Sequence, residues 1–184
     1  MFLGTEMNFF SYSASIIIPN WNGMKWLPGC LDALQRQDVQ DFEIIVVDNG
    51  SSDESVPYIK KMYPDVKILS LERNYGFSKA VNIGIKNAKG RYIVLLNNDT
   101  LPESEWLSNL LEAIEKAQSS IGVLASLMVS MDNPVLTDDA GDILDWRGFA
   151  MKRGHGEPIS QWIDSGPVFS ACAGAALYRR EFFE

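Results

Sequence analysis

Apolar residues along this chain keep two rhythms in turn. Short, nearly unbroken apolar runs over residues 15–19, 43–47, 66–70 and 92–96 are separated by stretches where apolar residues recur every third or fourth position. The runs have the pattern of strands covered on both faces, and the stretches that of helices with one apolar stripe. The spacing predicts a helix over residues 24–37 with Leu27, Leu31 and Leu34 on one face. It predicts another over 53–63, capped by Asp53, carrying Val56, Ile59 and Met62, and stopped by Pro64. A third, over 77–89, turns Phe77, Val81, Ile85 and Ala88 inward and ends at Gly90. The fourth opens at Pro102 and runs to residue 118 on Trp106, Leu110 and Ile114. Such alternation predicts an α/β fold: a parallel sheet, helices on both faces, right-handed crossovers.

After Ile121 the rhythm changes. Residues 121–126 read as one more strand, and 130–165 are rich in Asp, Gly and Pro with little periodicity, which predicts long loops and short strands. A stretch that long without regular structure is more often functional than idle in a compact domain. Residues 169–178 (FSACAGAALY) read as a buried strand of small residues, and 179–184 as the start of a helix.

The strands end on polar residues that packing does not ask for. The first exit is Pro19-Asn20-Trp21-Asn22-Gly23, the second Asp48-Asn49-Gly50-Ser51-Ser52-Asp53, and the fourth Asn97-Asn98-Asp99. A carboxylate costs several kcal/mol to bury unpaired, and ligands of open α/β sheets bind at the carboxyl ends of strands. In a parallel sheet these exits share one edge, so Asn20, Asp48 and Asp99 are expected to converge. Asp48 can accept from a base N–H or a ribose hydroxyl, and the Asn20-Trp21-Asn22 turn offers groups for a pyrimidine edge. Asp99, flanked by amide oxygens, suits a hard divalent cation and through it a diphosphate. The same Asn-Asn-Asp-Thr also reads as a plain turn into the next helix. A dinucleotide dehydrogenase is disfavoured, because Trp21, Met24 and Lys25 occupy the first turn where GxGxxG belongs. A sugar nucleotidyltransferase would need a glycine- and arginine-rich loop there, and residues 20–27 do not supply one.

Composition narrows the partners. At 184 residues the chain has the length of one domain, with a short tail over residues 1–13. A net charge of −8 argues against nucleic acid, whose phosphates need a basic surface. The two cysteines, Cys30 and Cys172, make no disulfide framework or zinc motif and read as small buried thiols. No apolar run is long enough for a membrane span, and residues 1–10 lack the basic start of a leader, so the expected location is cytoplasmic. His155 reads as part of a solvated glycine-rich loop, Trp146 and Trp162 as core cover, and Arg179 and Arg180 as solvated charges.

Four segments, SIIIPNWNG, IIVVDNGSSDES, RNYGFSKAVNIGIKNAKGRYIVLLNNDT and SACAGAALYRREFF, together resemble the family 2 glycosyltransferases, and the likeness covers residues 14–184. It is similar in particular to rhamnosyltransferase-like members that build bacterial cell-surface polysaccharide. The resemblance implies a GT-A-type, Rossmann-like fold with a mostly parallel sheet, incomplete at its C-terminal end. It implies an inverting, metal-assisted transfer from a nucleoside-diphosphate sugar to a glycan or lipid-linked acceptor, and association with the inner face of the cell membrane. By matching position, Pro19, Asn20, Trp21 and Asn22 would contact the nucleoside and Asp48 the base. Arg73, Asn74, Gly76 and Phe77 would line the nucleotide pocket. Asn97, Asn98 and Asp99 would form the DxD-type site, with Asp99 on Mg2+ or Mn2+. Asn97 replaces the family's first carboxylate, which leaves one for the metal. The family's general base would lie beyond Glu184, so none is assigned; a nucleotide-sugar-binding fragment without turnover is the alternative.

Overall fold

A computed structural model describes residues 10–183. Four strands alternate with four helices: β1 (Tyr12–Asn20), α1 (Leu27–Gln35), β2 (Phe42–Asp48), α2 (Ser55–Met62), β3 (Lys67–Ser70), α3 (Phe77–Asn87), β4 (Gly90–Leu96) and α4 (Trp106–Lys116). Then follow β5 (Val123–Ala125), β6 (Met128–Val129), β7 (Thr137–Asp139), β8 (Asp142–Leu144), β9 (Ala150–Lys152) and β10 (Ala175–Arg179). The main sheet has the order β3-β2-β1-β4-β10-β5. β1 to β4 are parallel, and β10 runs antiparallel between β4 and β5. The pairs β6–β7 and β8–β9 form two small antiparallel ribbons.

Strand alternation sorts the core onto two faces. Ile16, Ile18, Val46, Val94 and Leu96 pack with Leu27, Leu31 and Leu34 of α1, Ile59 of α2, and Leu107, Leu110 and Ile114 of α4. Ile17, Ile45, Val47, Ile93 and Leu95 pack on the other face with Ala80 and Val81 of α3. Each buried Val, Leu or Ile contributes about 1.5–3 kcal/mol, so the sheet between these layers is a rigid platform for whatever its edge carries. Among the described residues no helix is long and apolar enough to cross a membrane.

Several local expectations are corrected. α1 begins at Leu27 rather than Met24, because the N–H groups of Trp26 and Leu27 first close a turn onto Gly23 O. α4 begins at Trp106, not Pro102. On α3 the expected Val81, Ile85 and Ala88 pack inward, but Phe77 is 47% exposed; the closest approach is at buried Ala80 and Gly84, the latter letting the helix come near Ile17. The strand expected from 169 begins only at Ala175, because Phe169 N–H and Ser170 O bond the backbone of Asp142 in β8 and the Ser170 hydroxyl donates to its carboxylate. Residues Arg180–Phe183 form a 3-10 turn, not an α-helix. Arg179 and Arg180 are not solvated: they donate to the carbonyls of Ile114, Ile121 and Gly90. Trp146 covers no core; it is 92% exposed at the tip of the β8–β9 ribbon. The strand at the N-terminus starts at Tyr12, inside the expected tail, and the reading of residues 1–9 as no leader lies outside the described residues.

Candidate functional site

The exits of β2, β1 and β4 stand side by side. The register pairs Asn20 with Asp48, and the Ile17–Leu95 pairing, carried three residues further, brings Asn20 level with Asn98. These residues continue the rows of Ile18, Val46 and Leu96, so apolar packing gives way to polar groups that must satisfy one another. They do: Asn98 Nδ2 donates to Asn20 Oδ1 at 2.8 Å, and Asn20 Nδ2 donates to Asp48 Oδ1 at 3.0 Å. Ser51 N–H donates to Asp48 Oδ2 at 3.1 Å. Gly23 covers this row, and a Cβ there would lie 2.1 Å from Asn20 Oδ1. Asp53 ties the first two exit loops together. Its Oδ2 accepts from Met24 N–H at 2.9 Å and its Oδ1 from Ser55 N–H at 3.1 Å; the N-cap of α2 is Glu54 rather than the expected Asp53, which instead braces the first loop against the helix entry.

The segment between β3 and α3 is held by Asn49, which is buried. Asn49 Nδ2 donates to Asn74 Oδ1 at 2.9 Å and to Gly76 O at 3.2 Å, while its Oδ1 accepts from Tyr75 N–H at 2.9 Å. Gly76, at φ +87 and ψ 164, precedes α3 in a conformation that suits glycine almost alone. No side chain caps the first turn of α3.

These segments enclose a cavity of about 350 Å³ lined by Pro19, Asn20, Trp21, Asn49, Asn74, Gly76, Phe77, Asn97, Asn98 and Asp99. Pro19, Asn20, Trp21, Asn74, Gly76, Phe77, Asn97, Asn98 and Asp99 were all singled out from sequence, and the fold brings them together. Three other candidates stand outside the lining. Asp48 is buried behind Asn20; Asn22, at φ 51, bonds Ser51 and Ser52; Arg73 lies on the outer side against the Tyr75 ring. Asn49 was missed, although its place directly after Asp48 at a strand exit was a signal. A larger cavity, about 650 Å³, adjoins the first and shares Asn97 and Asp99 with it.

Asn97 and Thr100 shape the turn that carries Asp99. Asn97 N–H donates to Gly174 O at 2.9 Å, and Thr100 Oγ1 donates to Asn97 O at 2.7 Å. Cys30 lies beneath, and burial pushes its thiol up to about 12. Asp99 itself is exposed. No three His, Cys, Asp or Glu side chains gather into a metal cage among the described residues. The available donors, one carboxylate beside two amides, still fit Mg2+ or Mn2+. Such ions are commonly held by one or two carboxylates together with substrate phosphates. The loop acids are otherwise engaged: Asp138 pairs with Lys152, Asp142 accepts from Ser170, and Asp145 pairs with Arg147. Asp139 is buried, and burial pushes its carboxyl above the usual range.

Known proteins resemble this chain. A glycosyltransferase of Streptococcus pneumoniae, GlyG, is 31% identical over 110 residues, 58% of this chain and 36% of its own length. A PGL/p-HBAD biosynthesis glycosyltransferase of Mycobacterium tuberculosis is 32% identical over 123 residues, 65% of this chain and 48% of its own length. Among solved structures, S. aureus TarS 1-349 in complex with UDP-GlcNAc superposes with a TM-score of 0.66 at 22% identity, over 93% of this chain and 46% of that one. The mannosyltransferase PcManGT from Pyrobaculum calidifontis, in complex with GDP-Man and Mn2+, gives 0.60 at 18% identity, over 96% of this chain and 47% of that one. The chain thus spans under half the length of these relatives and shares the GT-A-type fold of the two solved structures. With residues 15–184 matching the profile of Glycosyl transferase family 2, the chain belongs to that family.

Proposed function

We propose that the chain binds a nucleoside-diphosphate sugar and forms the donor side of a glycosyltransferase that builds cell-surface glycan. The observation that carries this reading is the meeting of three strand exits and the 71–76 segment around one cavity with Asp99 at its rim. TarS with UDP-GlcNAc and PcManGT with GDP-Man and Mn2+ support the ligand class.

In this reading Trp21, 57% exposed, offers its ring to the base, and Asp48, buried behind Asn20, holds that wall of the cavity through Asn20 and Ser51. Asn74, Gly76 and Phe77 form the opposite wall. Asn97, Asn98 and Asp99 face the diphosphate. When bound there, Mg2+ or Mn2+ supplies Lewis-acid neutralisation of the leaving group. Asp99 thus acts by charge and position rather than by moving a proton. An acceptor hydroxyl, from a glycan or lipid-linked glycan in the larger cavity, displaces the diphosphate in one step and inverts the anomeric centre. No described residue is assigned as its base. Binding without turnover is a second reading, favoured by the engagement of the loop acids Asp138, Asp142 and Asp145 with Lys152, Ser170 and Arg147.

Calorimetric titration of UDP, dTDP and GDP with and without Mn2+, on the native chain and on Asp99→Ala, tests the proposal. Metal-dependent binding of one nucleotide that disappears in the variant is expected. Absence of binding by every nucleotide refutes the reading. Sugar release or transfer from the bound donor separates the enzyme from the binding portion.

A further inference from the structure

Asp48, Asn20 and Asn98 form a row in which each amide has one orientation. An ionised carboxylate accepts and cannot donate, so the Asn20 atom facing Asp48 Oδ1 at 3.0 Å is Nδ2. The same nitrogen lies 3.3 Å from Ser51 Oγ, while Asp48 Oδ2 takes the Ser51 N–H. Asn20 therefore turns Oδ1 toward β4, and Asn98 answers with Nδ2 at 2.8 Å. That leaves Asn98 its carbonyl oxygen. No described residue donates to this Oδ1, and Asn98 lines the smaller cavity next to Asp99. Backbone seals the contact from above: a Cβ on Gly23 would stand 2.1 Å from Asn20 Oδ1 and 2.2 Å from Asn98 Nδ2.

We infer that Asp48 is a positioning residue for the cation side of the cleft: through Asn20 it orients Asn98 so that a carbonyl oxygen, not an NH2, stands beside Asp99. The inference rests on the donor reading above and adds a role for Asp48 separate from any contact with the base. Asparagine at 48 could both give and take, so the row could run in either sense. Asn98 would then present NH2 to the cleft in part of the molecules and repel a cation there.

The probe is Mn2+ with inorganic pyrophosphate, which has no base or ribose for Asp48 to touch. By calorimetry, Asp48→Asn is expected to weaken its binding about tenfold, the lower end for loss of a group that orients a metal ligand. In an Asn98→Ala background the same change is expected to add nothing. The side-chain amide resonance of Asn98 is expected to shift in Asp48→Asn, although β1 stands between the two residues. Gly23→Ala, which displaces the Asn20–Asn98 contact and leaves Asp48 intact, is expected to weaken pyrophosphate binding likewise; it carries the test if Asp48→Asn fails to fold. Native affinity in Asp48→Asn, or an equal loss with and without Asn98, overturns the inference alone. A native chain that binds neither UDP nor pyrophosphate with Mn2+ overturns the donor reading, and this inference with it.

Discussion

Asn49 and Asn74 are joined side chain to side chain at 2.9 Å, across the gap between the β2 exit and the segment that leads into α3. Asn49 is buried and also serves Tyr75 N–H and Gly76 O, so one amide fixes three points of the cavity wall. Replacing it with alanine strands those groups, at a cost of about 1–3 kcal/mol. Asn49→Ala is expected to lower the unfolding free energy by that amount, and the denaturation midpoint with it, and to weaken nucleoside-diphosphate binding, whereas Asn74→Ala leaves Asn49 its other partners and has the smaller effect. Equal midpoints for Asn49→Ala and the native chain would refute the assignment.

Gly50 and Gly76 both have positive φ, yet they differ in what surrounds them. A Cβ on Gly50 would lie 2.5 Å from the Cα of Arg73, backbone against backbone, while one on Gly76 meets nothing within 4 Å. Gly76→Ala therefore carries only the conformational penalty, about 1–3 kcal/mol. Gly50→Ala carries a similar penalty and must also push the 71–76 segment away. Urea denaturation is expected to rank Gly50→Ala as clearly less stable than Gly76→Ala. The reverse order would mean that the two segments are not packed as described.

Much of this was legible in the chain itself. Unbroken apolar runs such as Ile93 to Leu96 placed β1 to β4, because a strand buried on both faces has no polar position. Polar residues at their ends gave away the cavity, since Asn97, Asn98 and Asp99 have no packing reason to follow Leu96. Antiparallel β10 was not legible. Its neighbours are set by tertiary pairing with β4 and β5, and the small residues 170–174 resemble those of the strand itself. On α3 Val81, Ile85 and Ala88 were read correctly as inward and only Phe77 was not; Gly84 was missed because it carries no apolar signal, although it marks the close approach to Ile17. Asp48 read as an open ligand, but spacing cannot tell a carboxylate at the cavity from one just behind it.

Trp21 projects from the first exit with 57% of its surface exposed, at the cavity mouth and outside the core. Trp21→Ala should leave the melting temperature nearly unchanged. If its ring meets the base, the loss is about 1–3 kcal/mol of stacking, roughly tenfold or more in affinity. The loss is expected for UDP and absent for inorganic pyrophosphate, which has no base. Equal weakening of both ligands would assign Trp21 to the diphosphate side instead.

Two carboxyls respond to acid in opposite senses. Burial pushes Asp53 up, but hydrogen bonds from the Ser55 hydroxyl and from the N–H groups of Met24 and Ser55 outweigh it and hold the carboxyl below its usual range. Its contribution is complete above the unfolded value of about 3.9 and is lost as pH falls through the lower folded value. Asp139 is the reverse. Burial, aided by the charges of Asp142 and Asp138, raises its carboxyl against the pull of Gly141 N–H and Lys152. The folded chain then holds this proton more tightly than the unfolded one, so stability falls as pH rises from about 3.9 through the folded value. Asp139→Asn keeps an oxygen for Gly141 N–H, which bonds Oδ1 at 2.7 Å, and removes a buried charge. It is expected to raise the melting temperature at neutral pH, with the gain fading as the solution is brought to ~pH 3. Asp53→Asn is expected to lower the melting temperature at neutral pH, with the deficit shrinking toward the same acid limit. Melting curves collected from neutral to acid pH decide both: offsets that stay constant with pH would show that neither carboxyl titrates differently in the folded chain.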